Sequence, residues 1–101
     1  MFEIDGKTYE LKYNIKTIEQ IEAVTKEGIV SAIRKTEGVL SLTNLKIYFG
    51  FALFNEEGKR VSPQQGMDMA VKLMETEGFM KVNEAVVTAI DRDCPFLFQV
   101  D

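Results

Sequence analysis

The sequence predicts an α+β fold in which an N-terminal two-stranded antiparallel β-hairpin packs on a body of four to five α-helices. Three observations predict it. Residues 2–13 alternate apolar and polar about Asp5-Gly6. From there to residue 93, apolar residues recur at three- and four-residue steps. A lone two-stranded ribbon is only marginally stable in water, so the hairpin must lie on the helices. A chain of 101 residues suffices for one core but not two. The expected organisation is one domain, 1–101: a hairpin at 1–13, a helical body at 14–93 and an apolar C-terminal tail at 94–101.

Asp5-Gly6 supplies the two positive-φ positions of a tight hairpin turn. The first helix is expected to start near Asn14 or Thr17, since Thr17 to Gln20 fits a capping box. Ile15, Ile18, Ile21 and Val24 form its apolar face, and Gly28 ends it. A short segment with Ile29, Val30 and Ile33 follows, with Arg34-Lys35 at its negative end and Gly38 as its stop. Ser41 to Asn44 opens a second long helix. Leu42, Leu45, Tyr48, Phe49, Ala52 and Leu53 form its stripe, and Ile47, Phe51 and Phe54 widen it. A helix apolar on most sides is buried on most sides, so this is the expected central helix. Gly50 inside it costs about 1 kcal/mol relative to Ala, which points to close approach of a neighbouring element.

Residues 55–60 form a polar turn. Ser62-Pro63-Gln64-Gln65 then starts a helix, with Ser at the cap and Pro at the first helical position. Met67, Ala70, Val71 and Met74 are expected to be its buried face. Glu77-Gly78 interrupts. Phe79, Val82, Val86, Ala89 and Ile90 form the face of a last helix ending near residues 91–93, which Cys94-Pro95 breaks.

Twelve basic against sixteen acidic residues give a net charge of −4. This balance argues against nucleic acid as the main ligand, because phosphate binding needs a basic face. A single cysteine allows no internal disulfide and fits a reducing compartment. The first residues read as strand rather than signal peptide. The longest strongly apolar stretch, residues 47–54, is far short of the roughly 20 a membrane span needs. The expected location is the cytoplasm, with no membrane partner.

The chain contains no histidine. That removes the commonest general base and metal ligand, and with it any Ser-His or Cys-His nucleophile pair within one chain. Cys94, beside a helix end, is expected to be a small apolar filler. Asp91 and Asp93 stand at i and i+2, where helical side chains point apart, so they read as a solvated helix end. The scattered glycines form no phosphate-cradling loop. No cofactor or metal is expected, and no enzymatic activity.

Met67, Met69, Met74 and Met80 cluster in the last two helices. They are expected to fill core, with an adaptable binding groove as the alternative. Phe96, Leu97, Phe98 and Val100 make the last six residues unusually apolar for a chain end. They either fold back on the core or dock on another chain. Phe96, Leu97 and Phe98 are therefore the candidate partner-binding residues.

The stretch from Phe2 to Ile18, with its Gly6-Lys7-Thr8-Tyr9-Glu10-Leu11 hairpin running into a helix, resembles the start of tail assembly chaperones from long-tailed bacteriophages and related prophages. Leu45 to Leu53 is similar to that family's apolar helix with a small residue inside it, and Ser62-Pro63 matches its later helix start. The family often carries Trp in the central helix. This chain has none, and Tyr48 or Phe49 takes that place. The resemblance covers nearly the whole chain. It implies a non-enzymatic protein that coats the aggregation-prone tape measure protein while the tail tube polymerises, self-associates, and is displaced by the tail tube protein. It also implies that a longer, frameshifted form is common. Two other readings stay open: a structural head–tail connector or tail subunit, and a small cytoplasmic protein-binding regulator.

Overall fold

The computed structural model describes residues 2–99 and shows the α+β fold. Strands β1 (Phe2–Ile4) and β2 (Lys7–Leu11) form the hairpin, paired Phe2 to Tyr9 and Ile4 to Lys7. Asp5 and Gly6 both take positive φ, 51° and 78°, as a turn matched to strand twist requires. Ile4, Tyr9 and Leu11 point into the core, and the Phe2 ring lies 5.6 Å from that of Phe49.

The sheet has a third strand that the periodicity does not predict. The central helix, α3 (Leu42–Ala52), stops before Leu53, and β3 (Leu53–Asn55) pairs antiparallel with β2, giving the order β1-β2-β3. Leu53 and Phe54 therefore belong to the sheet, not to the helix. An apolar run of this kind carries no period that marks where a helix ends. The free edge of β2 decides it, joined by the 3.0 Å bond from Lys12 N–H to the Ala52 carbonyl. The polar turn then folds back: Asn55 Oδ1 accepts from the N–H groups of Glu57 and Lys59, and Val61 N–H donates to the Leu53 carbonyl.

Helix α1 (Ile15–Thr25) is capped by Asn14, whose Oδ1 accepts from Thr17 N–H at 2.9 Å. Thr17 is thus an interior residue and is buried. The expected stripe of α1 is only half buried: Ile18 and Ile21 reach the core, whereas Ile15 is 60% and Val24 50% exposed. The helix ends at left-handed Lys26 rather than at Gly28, which instead precedes α2 (Ile29–Lys35). Glu22 caps α2, its Oε2 accepting from Ile29 N–H at 2.8 Å.

Ser41 caps α3, and Ser62 caps α4 (Pro63–Glu77) with Pro63 at its start. Gly78, at φ 98°, separates α4 from α5 (Phe79–Asp93). Tyr48, Phe49, Leu45 and Ala52 have no exposed surface, so α3 is the central element, packed against α1, α4 and α5. A short 3-10 turn at Pro95–Leu97 closes the described chain.

Candidate protein-docking groove

Helices α3 and α4 run antiparallel and touch where two glycines meet. A Cβ on Gly50 would lie 2.7 Å from Met67 Cγ and 2.8 Å from Met67 N. A Cβ on Gly66 would lie 2.5 Å from the Gly50 carbonyl oxygen and 2.7 Å from its Cα. The close approach expected of Gly50 is therefore present, and Gly66 is its counterpart. Eight residues along each helix, about 12 Å at the α-helical rise, the two backbones are lined by larger side chains.

There they enclose an open groove of about 470 Å³. Leu42, Thr43 and Lys46 line it from α3; Val71, Met74 and Glu75 line it from α4; Phe79, the first residue of α5, completes it. Leu42 is 62% exposed and Val71 is also exposed, although the periodicity puts both on buried faces. The buried side of α4 is Gly66, Ala70 and Leu73; of the expected stripe of Met67, Ala70, Val71 and Met74, Ala70 is buried, Met67 and Met74 are half-buried and Val71 is exposed. The signal for the rest was Gly66, in line with Ala70, because small residues mark the side where a neighbouring backbone comes closest. Of the methionines, Met74 lines the groove, and Met80, next to Phe79 in sequence, is exposed.

Asn83, which no sequence motif marks, sets the walls relative to one another. It is buried on α5, one turn after Phe79. Its Oδ1 accepts from Leu40 N–H at 2.9 Å, and its Nδ2 donates to the Gly38 carbonyl at 2.8 Å. The loop entering α3 just before Leu42 is thereby fixed to the start of α5. Both amide groups are satisfied, which a buried Asn requires.

The three tail candidates separate. Leu97 and Phe98 are partly buried against the core, while Phe96 is 48% exposed. Cys94 is fully buried, and burial pushes its thiol up from its ordinary pKa, with nearby Asp93 adding to this. Val100 lies outside the described residues. Among the described residues the tail takes no part in the groove, which is built from α3, α4 and α5.

The helix end at Arg92 and Asp93 is more than a solvated terminus. Arg92 Nη2 donates to the Leu11 carbonyl at 2.6 Å, and Asp93 Oδ2 accepts from Tyr13 N–H at 2.9 Å. Arg92 also donates to Asp93, at 2.7 Å from Nε. These bonds clasp the end of α5 to the exit of β2. The bond from Arg92, helped by that from the Tyr13 amide, holds the Asp93 carboxyl below its usual range against the opposing effect of burial.

Among the described residues, no three or more His, Cys, Asp or Glu side chains group closely enough to share a metal ion. No helix among them is long and apolar enough to cross a membrane. Comparison with protein-family models, with curated proteins and with solved structures returns no match to this chain.

Proposed function

We propose that this chain is a phage or prophage tail assembly chaperone. It holds the tape measure protein in solution in the host cytoplasm until the tail tube protein takes its place. The observation that supports this most is the groove: an exposed apolar trough walled by helices, with adaptable Met74 in it. Such a trough suits a client helix that presents an apolar stripe. The hairpin and central helix that carry the resemblance fit the same reading. A holdase needs only modest affinity per site, since many copies along one long client act together. No catalytic step is part of this role, and the proposed chemistry is protein–protein association alone.

Co-expression with the tape measure protein of the same phage or prophage tests it. The expected result is that the client becomes soluble and co-purifies with this chain, and that Leu42→Asp abolishes both. A client that still precipitates and does not co-purify would refute the chaperone reading. Recovery of this chain from purified virions would favour a structural subunit instead.

A further inference from the structure

The groove carries two charged side chains, one on each wall: Lys46 on α3 and Glu75 on α4. Neither makes an ion pair among the described residues, where Lys35, Lys72, Lys81 and Arg92 all do. Between them lies the apolar strip of Leu42, Val71 and Met74, ending at Phe79. This arrangement is complementary to itself. A two-fold axis running along the groove exchanges its walls, so the α3 wall of one copy faces the α4 wall of the other. With Gly50 opposite Gly66, Lys46 and Glu75 stand five residues apart in level, about 7.5 Å at the α-helical rise. The two long side chains reach across that step. Lys46 then meets Glu75 of the second copy, and the same contact recurs on the other side of the axis, as an isologous interface demands. Leu42 of each copy faces Val71 and Met74 of the other.

We propose that a second copy of this chain covers the groove, forming a two-fold dimer held by the apolar strip and fixed in register by two Lys46–Glu75 pairs. Pairing needs no knowledge of the client, and it goes beyond the chaperone reading: a client helix seated in the groove competes with the second copy. The dimer therefore keeps the apolar strip out of water until a client arrives.

The test uses the full chain alone, by sedimentation equilibrium over a range of concentrations. The wild type is expected to show a monomer–dimer equilibrium. K46E alone sets a carboxylate at position 46 against Glu75 twice per dimer. E75K alone sets an ammonium group at position 75 against Lys46 twice. Each is expected to weaken dimerisation by about tenfold or more, since facing like charges suppress a pairing. An equimolar mixture of the two variants restores opposite charges at both contacts of the mixed dimer, the reversed pair at one and the native Lys46–Glu75 pair at the other, so the mixture is expected to dimerise where neither variant alone does. The double variant K46E/E75K restores opposite charges at both contacts and is expected to dimerise like the wild type. Its recovery also shows that both positions tolerate the exchange within a folded chain. A wild type that stays monomeric at millimolar concentration overturns the proposal. So does a dimer indifferent to either charge reversal, or a double variant that fails to recover.

Discussion

Tyr48 is fully buried in α3, and its hydroxyl has no hydrogen-bond partner among the described residues. Tyr13 differs: its hydroxyl donates to the Tyr48 carbonyl at 2.8 Å. A buried hydroxyl without a partner costs free energy, whereas a partnered one returns about 1 kcal/mol. Tyr48→Phe is therefore expected to leave stability unchanged or raise it by up to about 1 kcal/mol, and Tyr13→Phe to lower it by about 1 kcal/mol. Denaturant titration of both variants decides this. Burial, with the carboxylates of Glu27 and Glu22 adding to it, pushes the Tyr48 hydroxyl up to about 12, and burial raises Tyr13 well above the ordinary value. The unfolded chain thus releases these protons first, and stability falls as pH rises past about 10. Tyr48→Phe is expected to flatten that fall. Asn83 stands at the opposite extreme, since Asn83→Ala strands the Leu40 N–H and the Gly38 carbonyl together. A loss of about 2–4 kcal/mol is expected from two stranded groups at about 1–3 kcal/mol each, partly relieved by water. Groove binding should fall with it.

Between elements, the Gly50–Gly66 contact sets how closely α3 and α4 approach. Gly66→Ala gains about 1 kcal/mol of helix propensity, but its Cβ meets only Gly50 backbone, which cannot rotate away. The helices must part, at about 1–3 kcal/mol or more. A net loss is expected, visible as a lower Tm, and it should exceed that of Gly50→Ala, where Met67 Cγ can yield in part. The clasp at the end of α5 is expected to show in acid. The folded pKa of Asp93 lies below its unfolded value. Its contribution is therefore complete above about pH 4 and is lost as pH falls through the folded pKa. Asp93→Asn should lower stability at neutral pH and reduce the acid-side slope in urea titrations. Local signals made much of this level legible. The Asp5-Gly6 turn, the Ser41 and Ser62 caps, and the breaks at Gly38 and Gly78 all stand where the residue chemistry puts them. The third strand was not legible, because Leu53 and Phe54 continue an apolar run without a period and only β2's open edge recruits them. The clasp was not legible either, since Asp93 and Tyr13 meet across 80 positions of chain.

For the whole molecule, a site made of leftover surface is the hardest thing to read from a pattern. Leu42 and Val71 carry the same spacing as core residues, yet both are exposed and line the open groove. That same exposure makes the groove separable from stability. Leu42→Asp removes an apolar side chain already 62% in water, in the first turn of α3, where an acidic residue is favoured by the helix dipole. Its stability is expected to stay within about 0.5 kcal/mol of wild type, as for other surface changes. Val86→Asp, by contrast, places a carboxylate at a position with no exposed surface on α5 and is expected to unfold the chain. If the groove is the docking surface, Leu42→Asp abolishes both self-association and client solubilisation while its thermal transition matches the wild type. A variant with an unchanged transition and unchanged binding would move the docking surface elsewhere on the molecule, with exposed Phe96 the next residue to replace.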